Sequence, residues 1–183
     1  MKKKFIIGIL LIFICIFAKS KYFFVPIQLS LITVCTIGIP SFVLALEPNE
    51  KLVEGKKFLT KIILRSLPGG ITVFLNILII LLCKVAFHLD DSITNTLCVF
   101  LTAVTGFIHL YNICSPFNKW RVMLFTSLVL IFSYASIFQN RFFSISDFNL
   151  QILIIFMLLF FFTKDIYFGL KRLINYILSK SKL

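Results

Sequence analysis

The residues best able to hold a cation stand in one apolar run, 26–46. Thr33 and Thr36 lie one helical turn apart, and Gly38-Ile39-Pro40 follows directly. Proline removes a backbone donor and crowds the carbonyl four residues earlier, so a kink or an unwound turn is expected there. Hard cations take oxygen ligands from carbonyls, hydroxyls and amides. Within lipid, freed carbonyls are tolerated only against protein or a polar cavity. Thr33, Thr36, Gly38 and Pro40 are therefore the ion-path candidates. The competing reading is a kinked helix whose threonines bond their own backbone. Asn76, Thr105, His109 and Asn112 are secondary candidates. Polar groups inside a span are functional by default, or they act as modest interhelical glue.

Other chemistry finds no footing. There is no GxxxxGK[ST], HExxH or GxSxG, and no DKTG phosphorylation sequence. His88 and His109 are isolated and supply too few ligands for a metal. Each reads as a hydrogen-bonded interhelical histidine. Cys15, Cys35, Cys83, Cys98 and Cys114 form no CxxC and read as free, small apolar residues.

These side chains must be carried by membrane helices. The 183 residues are 60% hydrophobic and 14% charged, with a mean hydropathy of +1.03. A soluble domain has about a quarter of its residues charged, whereas a helix of roughly 20 apolar residues crosses a bilayer. The expected fold is an all-α, polytopic membrane bundle forming a single domain over 1–183. Six spans are expected, at about 5–25, 26–46, 70–89, 93–114, 122–138 and 150–168. Residues 47–66 form a charged, amphipathic cytoplasmic loop in which Leu52, Phe58, Leu59, Ile62 and Ile63 suggest a short surface helix, and Pro68-Gly69-Gly70 punctuates the start of the third span. Lys2, Lys3 and Lys4 before a short apolar run also resemble a signal peptide. A retained helix is favoured because the apolar pattern resumes at Tyr22. The formal charge of +12 lies between the apolar runs, not on a basic domain, so no nucleic-acid partner is expected. With the N-terminus inside, fifteen of the 19 Lys and Arg fall on the inner side, which gives N-in/C-in.

The string Thr36-Ile37-Gly38-Ile39-Pro40-Ser41-Phe42-Val43-Leu44-Ala45-Leu46-Glu47-Pro48-Asn49 resembles the sixth membrane helix of P-type cation-transporting ATPases. The common family form is T-D-G-L-P-A-x-x-L-G. A bacterial subgroup reads T-I-G-I-P-S-F-F-L-A-L-E-P-N, with a hydrophobic residue in place of the aspartate. The likeness extends to Pro26–Leu31 and to Leu67–Gly70, then fades into general hydrophobicity. It implies that the first span is the end of helix five and that the rest are helices six to ten. It also implies that positions 33, 36 and 37 line the transport site, with Ile37 replacing the usual carboxylate. ATP and Mg2+ are the family's cofactors, yet this sequence holds no residues for them. The resemblance thus implies a membrane segment, truncated or split from its catalytic domains, that takes part in ATP-driven cation transport at the plasma membrane. Its partners would be the bilayer, the transported cation and the missing N-terminal portion. The alternative is a stand-alone small transporter or assembly subunit without ATPase activity, although no internal repeat favours it.

Overall fold

The computed structural model describes residues 25–47, 58–138 and 150–180. Among them every regular element is helical, and five helices are long and apolar enough to span a membrane. They are α1 (Pro26–Ala45), α2 (Phe58–Phe87), α3 (Asp91–Cys114), α4 (Lys119–Phe138) and α5 (Leu150–Lys180). The chain is thus a multi-pass membrane protein. The span expected at 5–25 lies outside the described residues.

Local chemistry sets the helix ends. Pro26 occupies the first turn of α1, where its missing N–H costs nothing. The buried Gln28 reaches back, and its Oε1 accepts the Val25 N–H at 2.9 Å. α2 ends at His88, whose φ of 49° is left-handed. The Leu89 N–H donates to the Lys84 carbonyl at 3.1 Å, closing a Schellman turn. His88 is exposed and serves this turn, so it is not the interhelical histidine expected from the sequence. α3 then starts after Asp90, and an ion pair between Lys84 and Asp91 closes the corner.

Two boundaries differ from expectation. Helix α2 begins at Phe58 and runs unbroken through Pro68-Gly69-Gly70, so these residues do not punctuate the span. The helix expected within 47–66 is thus continuous with the span from Phe58 on, not separate from it. The glycines add no bulk beside Pro68, and the Thr72 hydroxyl donates to the Pro68 carbonyl at 2.7 Å. That bond satisfies a carbonyl next to the irregularity. Helix α5 extends well past the expected end of its span, as far as Lys180.

The core is organised around α3. Half of its membrane window is buried, against 22% for α1, α2 and α5 and 28% for α4. On one side Ile77, Ile80, Leu97, Cys98, Leu101, Ile152 and Leu159 join α3 to α2 and α5. On the other, Ile32, Cys35, Val99, Ala103 and Phe132 join it to α1 and α4. Phe100 and Phe107 of α3 meet Phe132 of α4 edge-to-face at 6.1 and 5.6 Å. The relative polarity of α3 is explained by this position, because a helix ringed by protein can satisfy hydroxyls and amides that lipid cannot. Cys35, Cys98 and Cys114 are buried among these helices, and Cys83 is half-buried.

Candidate ion-path site

Helix α1 does not unwind at Gly38-Ile39-Pro40. Residues Val34–Gly38 instead form a π turn between two α segments, Pro26–Thr33 and Ile39–Ala45. The Ile39 N–H donates to the Val34 carbonyl, five residues back. The backbone stays right-handed throughout, with Gly38 at φ −60°, ψ −68°. The π turn widens the helix by one residue just before Pro40, which has no N–H to give. The irregularity therefore loosens the ladder without opening it.

This turn separates the two threonines. Thr36 is buried, and its hydroxyl donates to the Ile32 carbonyl at 2.7 Å. Its side chain sits on Gly106 of α3. A Cβ at Gly106 would fall 2.7 Å from Thr36 Cγ2 and 3.0 Å from Thr36 Cβ, so only glycine admits this approach. Thr33 is exposed, as are Gly38 and Ile37, the last at 60%. Pro40 is buried. The four primary candidates thus divide between a packed side, Thr36 and Pro40, and an open side, Thr33 and Gly38. A Cβ at Gly38 would meet the Thr33 carbonyl at 3.7 Å, an ordinary contact, so this glycine is not required by crowding.

The secondary candidates gather on the opposite side of α3. Asn76 of α2 is buried at mid-span. Its amide donates to Thr105 Oγ1 at 3.3 Å, and its carbonyl accepts from Thr163 Oγ1 at 3.1 Å. Thr105 and Thr163 also contact the carbonyls of Leu101 and Leu159, each at 2.8 Å. Further along, His109 Nδ1 and the Tyr167 hydroxyl are 3.0 Å apart, and the imidazole lies over Gly69. Asn112 donates to the Ile108 carbonyl and accepts from the Lys171 ammonium. All four residues therefore bond within the α2–α3–α5 unit, and none reaches the open face of α1.

Sequence reasoning missed the α5 half of this network. Thr163, Tyr167 and Lys171 recur every four residues, which puts them on one helical face. That spacing was the available signal. It also missed an ion pair across 74 residues, in which Nε and Nη2 of Arg121 donate to Glu47 Oε2 at 2.9 and 2.7 Å. Arg121 also donates to the Cys114 and Pro116 carbonyls. It thereby ties the end of α1 to the start of α4, beside an apolar cleft of about 350 Å3 lined by Val43, Leu44, Leu46, Trp120 and Leu124. Among the described residues no group of three or more His, Cys, Asp or Glu is placed to hold a metal.

Comparison with known proteins agrees with the resemblance seen in α1. The chain is 32% identical over 124 residues to the probable cation-transporting ATPase exp7 of Streptococcus pneumoniae, across 66% of this chain and 16% of that protein. It is 28% identical over 118 residues to the calcium-transporting ATPase CtpE of Mycolicibacterium smegmatis, across 60% of this chain and 15% of that protein. The chain is thus similar, over 60–66% of its length, to proteins named as cation-transporting ATPases. It spans about one sixth of the length of these ATPase relatives. No family model matches it, and no solved structure matches it.

Proposed function

We propose that this chain is a membrane segment of a P-type ATPase, and that it forms one wall of the path of an ATP-driven cation pump. The observation carrying this reading is the π turn at Val34–Gly38, set before Pro40 in the string that resembles the family's sixth helix. Its open face carries the exposed Thr33, with its hydroxyl, and the exposed Gly38. Oxygens of this type suit a hard cation. Ile37 places no carboxylate here, so neutral oxygens are this segment's contribution.

A one-sided path needs a second wall, which we assign to the N-terminal portion of the pump. That portion also carries the phosphorylation and nucleotide-binding domains that use ATP and Mg2+. The 183 residues hold neither DKTG nor a phosphate-binding loop, so none of them is assigned to the nucleotide. The bias of basic residues orients the assembly in the plasma membrane with both ends of the segment inside.

The test is ATP-driven cation uptake into vesicles that hold the complete pump, with calcium and other cations offered in turn. Thr33→Ala and Gly38→Ala should each lower uptake while leaving the helical content and thermal unfolding of the assembly unchanged. Full uptake in both variants would overturn the assignment.

A further inference from the structure

Helix α5 carries two charges where a bilayer should forbid them. Lys164 and Asp165 are adjacent and both exposed, within the span Ile152–Tyr176. Thr163, which precedes them, bonds to Asn76 near the middle of the apolar Ile62–Phe87 helix. Lys171, two turns further on, bonds to Asn112 close to the end of α3, where the chain leaves for the Ser115–Asn118 connection and Lys119. At 1.5 Å per residue, Lys164 and Asp165 therefore lie about 10 Å deeper than that boundary. Charged side chains at such depth normally face protein and pair with each other. Among the described residues neither is in an ion pair, and successive residues on a helix do not face one another.

The same side of α5 has the form of a helix–helix seam. Ile154, Met157 and Phe161 recur at three- and four-residue steps and are 57%, 52% and 63% exposed. At 100° per residue, Phe161 falls between Lys164 and Asp165 around the helix. Lys164 flanks the seam on one side and Asp165 on the other.

We propose that this face of α5 is a homodimer interface, in which two copies of the chain meet about a two-fold axis normal to the membrane. Such an axis sets the Lys164 flank of one copy against the Asp165 flank of its partner, twice over. Both pairs of opposite charges are neutralised and none is left over. One helix of any other protein would need its own matched acid and base at this depth. A second copy supplies them by symmetry.

The test uses the full 183-residue chain, labelled in two batches with donor and acceptor fluorophores and reconstituted in phosphatidylcholine–phosphatidylglycerol vesicles over a range of protein-to-lipid ratios. The wild-type chain should associate. Asp165→Lys should need at least about a tenfold higher mole fraction for half association, since it sets like charges opposite each other. The charge-swapped variant, Lys164→Asp with Asp165→Lys, should return to within about twofold of wild type, because the symmetric pairs re-form in the opposite sense. Its recovery separates lost pairing from misfolding. A wild-type chain that stays monomeric throughout would overturn the proposal and give the face to lipid or another protein. Association of Asp165→Lys at wild-type levels would overturn it too, as would failure of the swap to recover with its helical content intact.

Discussion

The two sides of α3 treat polar side chains in opposite ways. Toward α2 and α5, Asn76, Thr105, Thr163, His109, Tyr167, Asn112 and Lys171 bond among themselves and to nearby carbonyls, and Asn76, Thr105 and Thr163 are almost wholly buried. Toward α1, one threonine is wedged against Gly106 while Thr33, Ile37 and Gly38 face outward. The closed side is a unit whose candidate polar residues are all hydrogen-bonded. The open side keeps an irregular backbone and the exposed Thr33 hydroxyl at a face that no described helix covers. Satisfied polar groups give rigidity to a bundle in lipid, whereas accessible oxygens are what a passing cation requires. Membrane polarity therefore does not by itself mark the path. The useful distinction is whether a polar group is already bonded.

Several substitutions would break or sharpen this contrast. The largest effect should come from Gly106→Leu. Its Cβ alone lands 2.7 Å from Thr36 Cγ2, and relief requires α1 to move off α3. Overpacking of this kind costs about 1–3 kcal/mol, seen as a lower unfolding midpoint in detergent micelles. Asn76→Leu should cost about 1 kcal/mol by the same assay. Combined with Thr163→Val it should cost clearly less than the sum of the two, since both changes remove the 3.1 Å bond. Arg121→Ala, at a pair that is only partly buried, should cost about 0.5–1 kcal/mol, and less in Glu47→Ala, where only its bonds to the Cys114 and Pro116 carbonyls are left to lose. The smallest stability change belongs to Thr36→Val. It keeps the shape and removes a hydroxyl that serves only the Ile32 carbonyl, so a shift within about 0.5 kcal/mol is expected. If Thr36→Val instead stops transport in the complete pump, the packed side of α1 is also part of the path.

Much of the helix layout was readable from residue order. Long apolar runs broken by charged or turn-forming residues give spans, because lipid admits only backbones that bond themselves. Asp90-Asp91 marked a corner, and Pro26 marked a helix start. Pro68-Gly69-Gly70 misled because its strength as a punctuation signal derives from water-exposed chains. Inside a packed bundle, Thr72 and the neighbouring α3 support a continuous helix there. The pairing of Thr33 with Thr36 misled for a different reason. Their spacing assumed 3.6 residues per turn, and the π turn starts between them.

Hydropathy and charge thus determined by themselves that this is a polytopic helical membrane protein, and the TIGIPSF string carried its likeness to cation-transporting ATPases. They also located the span that carries the π turn. Only the tertiary structure decided which polar groups were already bonded, that α3 is the central helix, and that Glu47 reaches Arg121 across 74 residues. The physical reason is range. Backbone satisfaction in lipid is settled within one helix and so leaves a mark in local sequence. The partner of a side chain depends on which helix face lies opposite, and nothing within a single span records that.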